Sequence, residues 1–147
     1  MFGERIRPSK EYILIIGCGS LGRALACAMD DEGKEVCIMD KAKESAVRLP
    51  ESFCGRFIEG DAVCLEDLFQ AGIEDASMVY VVTGSDSVNI MAAQIARNMY
   101  GKQKVFCRLY DGERSVVYRE MGIGTIYPSV KTTLRMNEIL EEGNALA

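Results

Sequence analysis

From Tyr12 onward, short apolar runs rich in β-branched residues alternate with stretches in which apolar residues recur every three or four positions. That alternation predicts βαβ units built around a parallel sheet. The first run, Tyr12–Ile16, is apolar at every position, as expected of a strand covered by helices on both faces. Residues 21–31 then predict a helix, with Gly33 placed to take the left-handed conformation that ends it. Residues 36–39 read as a second strand and residues 55–59 as a third. Between them, residues 43–49 form a weaker helical pattern that Pro50 stops. Residues 78–82 are the fourth strand.

Val88, Met91, Ala92, Ile95 and Met99 recur at helical spacing, which assigns them to one buried face of a helix ended by Gly101. A strand over 104–109, a helix over 113–121 and a short sixth strand over 124–127 follow. After Pro128, a last helix over 130–141 carries Leu134, Met136, Ile139 and Leu140. The eight methionines fall at helix and strand positions and are expected to fill gaps in the core. The predicted class is α/β, with a polar arm over residues 1–11, a six-stranded unit over 12–128 and a helix and tail over 129–147.

Composition narrows the function. The chain has 147 residues, the size of one domain, with 48% hydrophobic and 27% charged positions. Its formal charge of −5 disfavours nucleic acid, whose binding rests on Lys and Arg displacing counterions. There is no histidine, which removes the commonest general base and metal ligand; no metal site is expected. The six cysteines never form C-x-x-C, and the plain reading is a reduced cytosolic protein that uses Cys as a small core residue. No basic region followed by a long apolar stretch opens the chain, and Tyr12–Ile16 is too short to cross ~30 Å of hydrocarbon, so a soluble, cytoplasmic protein is expected.

The chemistry concentrates at the ends of the predicted strands. Gly17-Cys-Gly-Ser-Leu-Gly22 matches G-x-G-x-x-G between a buried strand and a helix. Gly17 would allow the tight turn, Gly19 the approach of a pyrophosphate, and Gly22 close packing of helix on strand. Cys18, Ser20 and Leu21 complete the loop, whose helix N-terminus attracts an anion. Arg23-Ala24 after the last glycine excludes a Walker A loop. Asp40 closes the second strand eighteen positions beyond Gly22, where an acid meets the adenosine ribose hydroxyls. A carboxylate there favours NAD or plain adenosine phosphates, while Lys41 beside it leaves NADP open.

Glu59-Gly-Asp-Ala62 puts Asp61 and Ala62 at the next strand end, where they could border adenine. Thr83, Gly84 and Ser85 follow the fourth strand, across the switch point where ligands bind in open α/β sheets. Asp86 is either a cap or a ligand contact, and Asn89 is favoured for function. Arg108, ending the fifth strand, is a phosphate partner or half of an ion pair. Tyr100 and Lys104 have the Y-x-x-x-K spacing of short-chain dehydrogenases, but Gly101 breaks the helix between them, so they are not read as catalytic.

Taken together, Gly17 to Gly22, Asp40, Gly60-Asp-Ala62, Thr83 to Asn89 and Arg108 resemble the nucleotide-binding domain of the TrkA/KtrA family, also called RCK or KTN domains. The resemblance implies a doubly wound six-stranded Rossmann sheet of order 3-2-1-4-5-6. It implies cytosolic regulatory subunits of potassium uptake systems and channels that bind NAD, NADH, ADP, ATP or AMP without turning them over. By position, Gly17 to Gly22 would hold the phosphates, Asp40 the ribose, and Asp61 and Ala62 the adenine, while Thr83, Asn89 and Arg108 line the remaining wall. The last helix resembles the family's crossover helix, which packs on a partner subunit in a homodimer or an octameric ring against a membrane potassium-conducting subunit. Two features depart from the pattern. Ser20 stands where many ATP-binding members carry an arginine, and the second regulatory domain that usually follows the crossover helix does not occur in these residues. The alternative reading, the NAD-binding part of a small dehydrogenase, lacks an acid/base group in a suitable place.

Overall fold

Tyr12–Ile16 (β1) sits at the centre of a parallel sheet. It pairs with Glu35–Asp40 (β2) on one side and Met78–Val81 (β4) on the other. Arg56–Glu59 (β3) lies beyond β2, and Val105–Arg108 (β5) followed by Ile123–Ile126 (β6) lies beyond β4. The resulting order, β3-β2-β1-β4-β5-β6, is the expected doubly wound arrangement. The computed structural model describes residues 11–127, so nearly all of the expected N-terminal arm and the whole 129–147 helix lie outside the described residues.

β1 is central because each of its faces has a core to join. Leu14 and Ile16 pack with Leu68, Val81 and Ala92, whereas Ile13 and Ile15 pack with Ala26, Val36 and Val82. All four isoleucine and leucine side chains are buried. The helix Ser20–Asp31 (α1) covers the second of these faces, and Gly33 leaves it at φ +83°. Residues Lys43–Arg48 form a 3₁₀ helix instead of an α-helix and bury no side chain. A six-residue helix, Leu65–Gln70 (α2), lies between β3 and β4 where none was anticipated.

Asp86–Gln94 (α3) continues into a π turn, Ile95–Met99, before Gly101 at φ +64°. Its buried face matches the expected one in part: Ala92 is buried and Val88 and Ile95 pack against the core, whereas the two methionines do not. Met91 and Met99 are 54% and 60% exposed, and the residues against the sheet are Asn89, Ala92, Ala93 and Ala96. Small side chains seat this helix on the strands, and the π turn adds a residue to the last turn, which shifts the phase that carried Met99 inward. Met121 is also 39% exposed, so the methionines do not serve the core uniformly; Met39 does, at 0%. A 3₁₀ turn, Gly112–Arg114, leads into Ser115–Glu120 (α4), which packs against β6. All six cysteines are free: Cys18, Cys37 and Cys107 are buried, Cys27 and Cys64 half-buried, and Cys54 exposed. Among the described residues no helix is long and apolar enough to cross a membrane.

Candidate functional site

A cavity of about 590 Å³ opens at the carboxyl edge of the sheet, between the loops that leave β1, β2, β3, β4 and β5. The glycine loop forms its floor. Gly17 takes φ +114°, and a Cβ there would lie 2.8 Å from the Val82 carbonyl, so only glycine fits. Its N–H donates to the Met39 carbonyl at 2.7 Å, tying the loop to β2. Gly22 is a packing residue: a Cβ on it would fall 1.8 Å from the Gly17 carbonyl oxygen. Gly19 differs from both, since a Cβ there would meet nothing within 4 Å. It is the N-cap of α1, no side chain caps this helix start, and no acidic residue occupies the first turn. The first N–H groups of α1 therefore present uncompensated positive dipole at the cavity.

Asp40 faces that helix start from the end of β2. Its Oδ2 accepts the Cys18 N–H at 2.6 Å and its Oδ1 accepts the Ala42 N–H at 2.7 Å. Each oxygen keeps a second lone pair for a hydroxyl donor. Burial pushes the Cys18 thiol above its ordinary range, opposed by a hydrogen bond with the Ser45 side chain and reinforced by the nearby Asp40 charge. Lys41 is exposed at the rim. After β3, the Gly60 N–H donates to the Asp40 carbonyl at 3.0 Å, which holds the 60–62 turn beside β2. Asp61 accepts the Val63 N–H at 2.9 Å, while its own N–H donates to Asp67 at 2.8 Å.

The opposite wall is organised by Asn89, which is completely buried. Its Oδ1 accepts the Thr83 N–H at 2.9 Å and the Thr83 hydroxyl, and its Nδ2 donates to the carbonyls of Thr83 at 3.0 Å and Arg108 at 2.9 Å. Asn89 thus clamps the ends of β4 and β5 together from beneath. Ser85 caps α3 by accepting the Val88 N–H at 3.3 Å. The Asp86 carboxylate holds the next loop, accepting the N–H groups of Tyr110 at 2.9 Å and Asp111 at 3.1 Å. Arg108 donates from Nη2 to the Thr83 carbonyl and lies over the Tyr110 ring at 4.8 Å. It forms no salt bridge among the described residues, and its Nε is buried without a partner.

Eleven of the fifteen anticipated site residues line this cavity. They are Gly17, Cys18 and Gly19 from the first loop; Asp40, Lys41, Asp61 and Ala62 from the next two; and Thr83, Gly84, Ser85 and Arg108 from the far wall. Ser20, Leu21, Gly22 and Asn89 do not; they build the loop, the helix and the clamp behind the lining. Ile16, Met39, Val82 and Ala42 were not anticipated, although each adjoins a strand end already singled out. Ser45 and Val88 reach the cavity from the first turns of the segments that follow. Tyr100 and Lys104 flank the turn into β5, at the amino edge of the sheet away from the cavity.

The TrkA-N domain family matches residues 13–128. The Trk system potassium uptake protein TrkA of Streptomyces coelicolor is 41% identical over 115 residues, covering 78% of this chain and 52% of that protein. The chain spans about half the length, or less, of the curated relatives it matches. Among solved structures, a GsuK channel bound to NAD is 25% identical with a TM-score of 0.78, covering 94% of this chain and 24% of that one. GsuK bound to ADP is 25% identical with a TM-score of 0.75, covering 90% of this chain and 34% of that one.

Proposed function

The chain belongs to the TrkA-N domain family, and from that membership we propose that it is a nucleotide-binding regulatory subunit of a potassium transport system. The observation that carries this reading is the polarity of one cavity. The uncapped start of α1 at Gly19 and the Arg108 guanidinium are positive features suited to phosphates, while Asp40 across from the helix start is an acceptor suited to ribose hydroxyls. Asp61 and Ala62 border the adenine in this reading, with Thr83, Gly84 and Ser85 closing the remaining wall. NAD or NADH is the preferred ligand, with ADP, ATP and AMP as the alternatives. The similar GsuK structures bound to NAD and to ADP support both classes.

The ligand is sensed without being reacted. Binding shifts the protein between two arrangements for which the ligand has different affinities, and only that difference can drive gating. A homodimer, alone or within an octameric ring, passes the change to a membrane potassium-conducting subunit, so the protein works in the cytoplasm at the inner face of the membrane. In this reading residues 12–128 bind the nucleotide and residues 129–147 supply the crossover helix that packs on the partner.

A thermal-shift titration with NADH, NAD, ADP, ATP and AMP tests the binding reading. A ligand at 100 times its Kd adds about 2.7 kcal/mol of stability. No shift with any of the five overturns it. Steady absorbance change at 340 nm with NAD and small hydroxy acids would favour a dehydrogenase over a regulator.

A further inference from the structure

Tyr110 follows Arg108 by two residues and lies outside the cavity lining, and it is 62% exposed. An aromatic ring with that much surface in water adds little to the core. Its backbone is nevertheless held firmly, because both carboxylate oxygens of Asp86 accept the Tyr110 N–H, at 2.9 and 3.0 Å. The ring is fixed beneath the Arg108 guanidinium, 4.8 Å from Cζ to the ring centroid.

Arg108 needs such support. Among the described residues this long, rotamer-rich side chain is held at the cavity wall by one hydrogen bond, from Nη2 to the Thr83 carbonyl, although a guanidinium carries five N–H donors. A carboxylate partner would hold it too, but would neutralise its charge and occupy its donors. An aromatic face orients the planar cation through its π cloud and consumes none of them. The charge and most of the donors stay available to an anion.

We propose that Tyr110 is a positioning residue that presents Arg108 to a nucleotide phosphate, so that the site favours phosphorylated ligands over adenosine itself. This rests on the reading above, in which Arg108 faces the phosphates.

The test is calorimetric titration of the full chain with adenosine, AMP and ADP, using Tyr110→Leu, Tyr110→Phe, Arg108→Met and the Arg108→Met/Tyr110→Leu double variant. Tyr110→Leu is expected to weaken ADP binding by about threefold to tenfold, the range of a partly exposed cation–π contact, and to leave adenosine affinity unchanged. Tyr110→Phe keeps the ring and should bind ADP like the parent. In the Arg108→Met background, Tyr110→Leu should cost nothing further. Equal losses for adenosine and ADP, failure of Tyr110→Phe to retain ADP binding, or full additivity with Arg108→Met would overturn the proposal. If Arg108→Met binds ADP as tightly as the parent, the phosphate contact itself is wrong and the proposal falls with it. If Arg108→Met is impaired while Tyr110→Leu is not, the role of Tyr110 alone is refuted.

Discussion

The backbone N–H of Cys18 and the Oδ2 of Asp40 are joined by a 2.6 Å hydrogen bond that crosses from the β1 loop to the end of β2. Asp40 therefore shapes the glycine loop as well as serving, in the proposed reading, as the acceptor for the ribose hydroxyls. Asp40→Ala should weaken NADH or ADP binding by about 1 to 3 kcal/mol, the scale of a lost charged hydrogen bond. Calorimetric titration measures this directly, and unchanged affinity would mean that the ribose lies elsewhere.

Two glycines of the same loop should respond in opposite ways. Gly22→Ala forces a Cβ to within 1.8 Å of a backbone oxygen, so its cost should reach or exceed the upper end of the roughly 1 to 3 kcal/mol seen for overpacking. Gly19→Ala meets nothing within 4 Å and has φ −83°, which any residue adopts, so its urea midpoint should match the parent. Its nucleotide affinity should fall, because in the proposed reading the new methyl group stands in the phosphate path. A Gly19→Ala protein that binds normally would remove the loop from the site.

Asn89→Leu deletes the partners of Thr83 N–H and of the Arg108 carbonyl inside a fully buried setting. About 2 to 4 kcal/mol of stability should be lost in urea unfolding, since buried polar groups are left without bonds. A loss below about 1 kcal/mol would show that water can replace the clamp.

The Tyr12 hydroxyl donates to the Ala71 carbonyl at 2.5 Å and accepts from Arg56 at 2.9 Å. Burial, with a smaller contribution from Cys37, pushes its pKa up to about 12. The folded state thus holds this proton more tightly than the unfolded state. The associated stability is complete below about pH 10 and is lost as pH rises from 10 toward 12. Melting temperatures across that window should fall more steeply for the parent than for Tyr12→Phe, and parallel curves would contradict the assignment.

Thiol labelling with iodoacetamide at neutral pH should begin at Cys54, which is exposed. Cys107 should react last: it is 0% exposed, and burial raises its pKa to about 11. Mass mapping of the labelled peptides gives the order, and early Cys107 labelling would reveal opening of β5.

Much of this was legible in the residues because its causes are local. β1 is apolar throughout, and the separate roles of Gly17, Gly19 and Gly22 follow from backbone geometry that the spacing already implies. α2 was not legible: it has under two turns, begins after Cys64 with no side-chain cap, and leaves Phe69 58% exposed, so no apolar periodicity marks it. The place of Asn89 behind the cavity lining depends on a carbonyl nineteen residues away, at Arg108, which no local pattern reports. The exposure of Met91 and Met99 likewise follows from an alanine-seated helix and a π turn that period counting treats as regular α-helix.

That seating has a mechanical consequence. Ala92, Ala93 and Ala96 rest on the sheet with Val88, Ile90 and Ile95 packed beside them, whereas Asn89 is hydrogen-bonded to the ends of both neighbouring strands. Directional bonds therefore pin this helix at both ends: Asn89 beside the cavity, and Arg97 of the π turn, whose Nη1 donates to the carbonyls of Lys102 and Gln103 at 3.1 Å each. Between those two pins the helix meets the sheet through apolar, non-directional contact, so the cavity wall and the turn into β5 are tied to one rigid element.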